Sequence, residues 1–496
     1  MTLEVELKLA IAPGDAARLR RHPILKSVKP VRRKLYGIYY DTPEFELFRR
    51  RGAFRLRREG YHWVQPLKLD DGMAGGLSMR PEWEVQVTGN RPDFGVLPAE
   101  ALAQLTPELA ARLQPVFATD FQRTTWLLER PTGTVEIALD AGRVVADQQA
   151  LPISELELEL KAGDGRLLAE LAQELLEAAP MLPEYRSKAL RGYQLAGVWQ
   201  QKPCKAIAVD MADRPPAAEA WRRMLLAGMT QLSRNLPGFL EGDDPEYLHQ
   251  MRVAVRRMRT VLSLGRRIGL TPEAWVEELR GFMAELSPAR DWDVMVGETL
   301  AAVRSGLPEA ERLDVLLAAA GRQRAAANAR ARAAVTEPRL VRLLLEMTGA
   351  LLAERHGGPE LAEWAGAELD RRLRRLRKLG RRFDRLDAAG RHQLRIAAKR
   401  LRYAGEAYAP LYGDKAERYL ARVAGLQDGL GAANDVAVAR GLLADLLAGN
   451  RRLAQAAGLA EGYIVAASAG RVQRLAELTD AILAARPFWR RGKKGA

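Results

Sequence analysis

Alternation of charged and aliphatic side chains with a period of two constrains this chain more than any other feature. The chain opens Glu4-Val5-Glu6-Leu7-Lys8, and the pattern returns as Glu155-Leu156-Glu157-Leu158-Glu159-Leu160-Lys161. Successive side chains of a strand point to opposite faces. Each segment therefore carries its carboxylates on one face and its leucines or valines on the other. The same parity collects Arg55 and Arg57, Lys68, Glu82 and Glu84, Arg123, Glu136 and Asp140, and finally Arg186 and Lys188. A charged strand face ordinarily means solvent, as in an antiparallel sheet with one wet side. This face departs from that pattern, because it is almost solely carboxylate, guanidinium and ammonium groups. Closing the sheet with the charges inward gives a tunnel whose desolvation cost only bound ions can offset. Acidic clusters suit Mg²⁺ or Mn²⁺, which take oxygen ligands. Arg and Lys on the other strands suit phosphate oxygens. Such an interior is poised for phosphoryl transfer to water.

Strand patterns fill residues 1–200. The spacing predicts strands at Leu35–Tyr40, Gly52–Arg58, His62–Leu69, Glu82–Val87, Phe121–Leu128, Thr134–Asp140 and Ile153–Lys161, separated by Gly, Pro and Asp turns. Helical intervals are expected at Pro13–His22, Pro98–Leu113 and Arg166–Ala178. Residues 201–216, with Lys202-Pro203 and Arg214-Pro215-Pro216, read as a linker. Beyond Ala217 the period changes to 3.6 and strand patterns vanish. At 496 residues more than one core is expected. The expected organisation is multi-domain: an α+β tunnel domain over 1–200, then an all-α domain over 217–490. Charge follows the same division. Residues 1–200 hold 27 basic and 27 acidic side chains, so the whole net charge of +15 lies in 201–496. That asymmetry implies a polyanionic partner for the second part.

The helical part repeats itself. His249-Gln250-Met251-Arg252-Val253-Ala254-Val255-Arg256-Arg257-Met258-Arg259 returns 143 residues later as His392-Gln393-Leu394-Arg395-Ile396-Ala397-Ala398-Lys399-Arg400-Leu401-Arg402. Asp291 follows the first histidine by 42 residues and Asp435 the second by 43. Two copies of one helical unit, about 217–345 and 360–490, explain both matches. On a helix, His249, Arg252, Arg256 and Arg259 form one stripe, with Met251, Val255, Met258 and Leu262 beside it. His392, Arg395, Lys399 and Arg402 form the second stripe. A basic helix face is usually only solvated, but the same spacing in both copies points to binding.

Several classes drop out. One cysteine, Cys204, excludes an intramolecular disulfide and a thiolate metal cluster, and argues for a reducing compartment. The N-terminus lacks the apolar core of a signal peptide, and no apolar run is long enough to span a membrane. A cytoplasmic protein is expected. No P-loop or Rossmann glycine pattern is present, which argues mildly against a nucleotide.

The motifs Glu4-x-Glu6-x-Lys8, Arg55 and Arg57, Lys68, Asp120-Phe121-x-Arg123, Glu136–Asp140, Glu155–Glu159 and Ser187-Lys188-x-x-x-Gly192-Tyr193 together resemble the CYTH family of triphosphate tunnel metalloenzymes. The His-x-x-Arg repeats and their Asp partners resemble the CHAD domain, a helical module linked to polyphosphate binding. The pairing resembles bacterial inorganic triphosphatases. The resemblance implies an eight-stranded antiparallel tunnel followed by a duplicated helical bundle, and Mg²⁺- or Mn²⁺-dependent hydrolysis of triphosphate to pyrophosphate and phosphate. It implies that Glu4, Glu6, Asp140, Glu157 and Glu159 hold metal. Lys8, Arg55, Arg57, Lys68, Arg123 and Lys188 would bind substrate. Glu4, Glu6, Lys8 and Glu159 would form the catalytic set, with Glu6 or Glu159 directing the attacking water. The eight residues of the two helical stripes would bind polyphosphate, with localisation at polyphosphate granules as an extension. Three other readings stay open: a nucleotide-directed activity such as adenylate cyclase, thiamine triphosphate hydrolysis, and a non-catalytic polyphosphate-binding protein. Nucleic acid is a less favoured partner for the basic part.

Overall fold

A computed structural model describes residues 2–69, 73–74, 77–307, 310–353, 358–468 and 475–490; the side chains of 2–4, 73–74, 77–82, 310, 388 and 432–434, Glu4 and Glu82 among them, lie outside the described residues. The chain forms two compact units. The first comprises Met1–Cys204, Met229–Gly242 and Thr336–Glu354; the second comprises Lys205–Gly228, Asp243–Val335 and Arg355–Ala496.

The strands of the first unit are β1 (Thr2–Ile11), β2 (Val31–Asp41), β3 (Gly52–Glu59), β4 (His62–Leu69), β5 (Met73–Ala74), β6 (Leu77–Val87), β7 (Gln114–Arg130), β8 (Gly133–Ala146), β9 (Gln149–Gly163) and β10 (Met181–Pro183). Eight of them close a ring in the order β1-β9-β8-β7-β2-β3-β4-β6, and the β6–β1 pairing returns to the start. Every pairing is antiparallel. One edge of β1 is shared: residues 2–7 pair with β6 and residues 9–11 with β10.

Closure turns the usual barrel inside out. Leu7, Leu9, Ile137, Leu139, Leu156 and Leu158 face outward and are buried under the helix Arg166–Leu176 through Leu168, Leu171 and Leu175. Val341 and Leu345 of the helix Pro338–Leu352 join that cluster. A second cluster seats Phe54, Leu56, Leu67 and Trp83 against Ala101, Leu105 and Leu109. With the apolar faces covered from outside, the alternation leaves the charged faces nowhere but the lumen.

Several strands run longer than their sequence pattern, β7 above all. Two expected helices are broken. Pro98–Leu113 becomes Ala99–Gln104 and Pro107–Ala110, because Thr106 precedes proline and caps the second turn. Pro13–His22 becomes a 3₁₀ turn followed by Ala16–Leu19. Arg186 and Lys188, which share the parity of the charged strand faces, lie on no strand: Ser187 caps a helix, Lys188–Leu195, by accepting the Leu190 N–H. Nor do the units divide at one point in the chain. The segments 229–242 and 336–354 belong to the first unit, where the apolar stripe of Pro338–Leu352 finds its cover.

In the second unit, the helices Pro245–Gly265 and Ala388–Tyr408 carry the repeated motif. Asp244 and Asp387 cap them, each five residues before its histidine. Met251, Val255, Met258 and Leu262 are buried, as are Leu394, Ala398 and Leu401.

Candidate functional site

The lumen is a cavity of about 1590 Å³. Directly opposed residues of antiparallel strands share a face, so register alone builds rows across the wall. Glu6 pairs with Glu159, and Glu159 with Glu136. Three carboxylates thus lie side by side on β1, β9 and β8, and all three line the cavity. Glu136 has the right parity but stood outside the expected ligand set. Glu4 lies on β1 two residues from Glu6.

One row deeper, charges neutralise one another. Lys8 Nζ lies 3.1 Å from Glu157 and 3.3 Å from Glu6. Arg123 clasps Asp140 with two bonds of 2.8 and 2.6 Å and also reaches Glu157. Lys188 Nζ sits 2.7 Å from Asp140 and 2.9 Å from Glu157, and bonds Glu155. Arg191, one turn along the same helix, grips the other oxygen of Glu155. Asp140, Glu155 and Glu157 have the mutual spacing of a metal site, but the Lys188 ammonium fills it. Burial opposes charge on Glu157, yet Lys188, Lys8 and Arg123 hold its carboxyl well below the usual range. Asp140 is lowered the same way by Lys188 and Arg123. Burial pulls against the Arg123 and Lys188 charges, and these carboxylates keep both pKa values raised.

The facing wall is cationic. Arg55, Arg57 and Lys68 all line the cavity, as do Lys8, Arg123 and Lys188. Arg57 bonds Glu84 at 2.9 Å and also contacts Glu59; burial and Arg55 depress its pKa. Arg55 donates to the Tyr39 hydroxyl at 3.0 Å. Burial alone would raise the Tyr39 phenol, but Arg55, Lys188 and Lys68 outweigh it and lower the pKa. Tyr39 carries no charge in the sequence alternation, which is why the pattern does not single it out. The Lys188 helix is locked by Tyr193, whose hydroxyl donates to Asp41 at 2.8 Å, and by contact of Gly192 with the Phe117 ring.

In the second unit the two repeat helices bring Arg252, Arg256, Arg395 and Lys399 into one electrostatic cluster. Burial first, then Arg395 and Arg256, push the Lys399 ammonium down to about 8. Burial and Arg290, with Arg256 and Arg252, lower the His249 imidazole. Asp291 is raised by burial while Arg252 opposes that rise, and the Asp435 and Arg395 side chains both lie against Gly431. Arg256 stacks on Tyr403 with its Cζ 4.8 Å from the ring centroid. The Nε atoms of Arg256 and Arg395 are buried without a hydrogen-bond partner. Not every stripe residue joins them: Arg402 bonds Glu406 at 2.7 Å, Arg259 lies near Arg280 and Glu277, and His392 is exposed.

Comparison with known proteins agrees with this geometry. Residues 2–193 match the CYTH domain and residues 223–444 the CHAD domain. The chain thus joins an N-terminal CYTH domain to a C-terminal CHAD domain. An inorganic triphosphatase of Haemophilus influenzae is 34% identical over 201 residues, which are 39% of this chain and 55% of that protein. The chain therefore spans about half the length of that relative. An uncharacterized protein of Mycobacterium tuberculosis is 27% identical over 414 residues, 75% of this chain and 76% of its own length. Among solved structures, the CHAD domain from the plant Ricinus communis is 32% identical, with a TM-score of 0.51, covering 58% of this chain and 98% of that one. No helix among the described residues is long and apolar enough to cross a membrane.

Proposed function

We propose that the tunnel hydrolyses inorganic triphosphate to pyrophosphate and phosphate with the help of Mg²⁺ or Mn²⁺, and that the basic cluster of the helical domain binds polyphosphate. The observation that carries the reading is the carboxylate row Glu6–Glu159–Glu136, which lines the same closed lumen as Arg55, Arg57 and Lys68. The donor chemistry suits a hard divalent ion, since the row offers carboxylate oxygens from three adjacent strands; the Lys8 and Lys161 ammonium groups, now 3.3 and 2.6 Å from Glu6 and Glu159, would give way to it. Glu6, Glu159 and Glu136 would hold it, with Glu4 as the neighbouring ligand; Asp140 and Glu157 serve the ion pairs with Arg123 and Lys188 instead. When bound, the ion would neutralise phosphate charge and acidify water.

The chain's own residues account for the rest. Arg55, Arg57 and Lys68 bind phosphate oxygens from one wall, and Lys8, Arg123 and Lys188 from the other. Because Asp140 and Glu155 hold Arg123 and Lys188 in place, these cations need no reorganisation as charge builds on the leaving oxygen. A carboxylate of the row, on Glu6 or Glu159, accepts the proton of the attacking water as oxygen bonds to phosphorus. The anhydride bond breaks and its electron pair leaves with the departing phosphate oxygen. In the helical domain, Arg252, Arg256, Arg395 and Lys399 supply the polyphosphate contacts, with His249 beside them. Such a chain would work in the cytoplasm, at polyphosphate stores.

The test is phosphate release from triphosphate, long-chain polyphosphate, ATP and thiamine triphosphate, each with Mg²⁺, Mn²⁺ or EDTA. Triphosphate turnover is expected to need metal and to fall at least about a hundredfold in Glu6→Gln and Glu159→Gln. Turnover that persists in EDTA, or in both variants, would sink the mechanism.

A further inference from the structure

We propose that Arg234, together with Lys202, forms a second anionic subsite that takes the phosphates beyond the third of a linear polyphosphate. This rests on the triphosphatase reading of the same cavity and concerns the length of chain it accepts. The cavity of about 1590 Å³ exceeds the roughly 300–1,000 Å³ of ordinary ligand pockets. Three phosphates gripped by Lys8, Arg55, Arg57 and Lys188 leave part of it unused. Ser187, Tyr185, Gln201, Lys202 and Arg234 line the same cavity.

Arg234 is uncompensated there. No carboxylate pairs with it among the described residues, and its Nε is buried without a hydrogen-bond partner. A partly buried cation without a counter-charge costs free energy unless an anion binds it. Its neighbour Arg186 shows the contrast, being neutralised by Glu184 at 3.1 Å and Glu241 at 3.0 Å. Arg234 is also held in position. Its guanidinium lies over the Tyr185 ring, 5.9 Å from the centroid. Its carbonyl accepts from Gln201 at 3.0 Å, and the adjacent Asn235 bonds both the N–H and the carbonyl of Cys204 at 2.9 Å. The segment ending at Cys204 is thereby fastened beside the arginine, and Lys202 adds a second cation to the same wall. A fixed guanidinium without a counter-charge, and a lysine lining the same cavity, suit phosphate oxygens.

The experiment compares linear pentaphosphate with triphosphate on the full chain, in wild type, Arg234→Ala, Arg234→Lys and Lys202→Ala, with thermal melting to confirm folding. Both kcat/KM with Mg²⁺ and Kd by calorimetry are read as pentaphosphate-to-triphosphate ratios. Loss of charge-assisted bonds in Arg234→Ala should lower the pentaphosphate preference about tenfold, and Arg234→Lys should restore part of it. A ratio unchanged in Arg234→Ala, or a wild type that binds pentaphosphate no tighter than triphosphate, overturns the subsite. If triphosphate is bound but not hydrolysed, the proposed activity fails while the Kd ratio still decides the subsite.

Discussion

Asp140 is wholly buried between two cations, and its role separates it from the carboxylates that face the lumen. Removing one member of a buried ionic cluster leaves its partners uncompensated, at a cost of about 3–5 kcal/mol. Asp140→Asn should therefore lower the denaturant midpoint sharply, whereas Glu136→Gln, on the cavity wall, should barely move it. The same cluster sets acid sensitivity. Glu157 and Asp140 have depressed pKa values in the folded state against ordinary values of 4.5 and 3.8. The stability they contribute is fully present above that ordinary range and is lost as pH falls through their lower folded values. Melting temperature should hold from neutrality to about pH 5 and drop below it, and Asp140→Asn should flatten that drop. Lys399 gives the opposite kind of titration. Its ammonium, lowered to about 8, is charged at neutral pH and loses its proton just above. Polyphosphate affinity of the wild type should weaken about tenfold between pH 7 and pH 9.5. Lys399→Arg should remove most of that slope, since a guanidinium stays charged; a slope that survives it would place the titrating group elsewhere.

The helix Lys188–Leu195 is the element on which the tunnel's inner end depends. Its Gly192 lies so close to the Phe117 ring that an added Cβ would stand 2.1 Å from a ring carbon. Overpacking of this kind costs about 1–3 kcal/mol and would push the helix, with Lys188 and Arg191, away from Glu155. Gly192→Ala should thus lose triphosphatase turnover far beyond its loss of stability, measured as kcat/KM against melting temperature. This helix also marks where sequence reading stops short. Glu6, Glu157 and Glu159 are legible because a period of two leaves each only one face, and β1 and β9 keep that period along their length. Arg186-x-Lys188 imitates the same alternation, and only the Ser187 cap and the Lys188–Arg191 spacing hint at a helix. Arg191 escapes notice for the same reason. Tyr39 and Glu136 come to the site through register, which fixes neighbours that no single strand reveals. The repeated helices are more transparent: the spacing of 143 residues marks both of them, while their Asp244 and Asp387 caps, and the separation of Arg259, His392 and Arg402 from the cluster, need the backbone.

The charge of the chain is divided so that the two proposed activities should respond differently to salt. The first 200 residues are neutral overall, and the lumen cations Lys8, Arg123 and Lys188 lie in pairs with buried carboxylates; the net +15 belongs to the remainder. Buried pairs are screened little, whereas partly exposed cations feel the ionic atmosphere over a Debye length of about 10 Å at 0.1 M. Polyanion binding also releases condensed counterions, with a log–log salt slope of about −0.7 per phosphate neutralised for flexible single strands. Four contacts, from Arg252, Arg256, Arg395 and Lys399, give a slope near −2.8, or about a fiftyfold loss of polyphosphate affinity between 50 and 200 mM salt. The double variant Arg252→Ala/Arg395→Ala should halve the slope, leaving about a sevenfold loss over the same range. Fluorescence anisotropy with labelled polyphosphate measures both slopes. Triphosphate turnover, followed in parallel at fixed Mg²⁺, should decline far less steeply. Equal salt slopes for turnover and polyphosphate binding would mean that both draw on one set of cations, and the division of labour between tunnel and helices would fall.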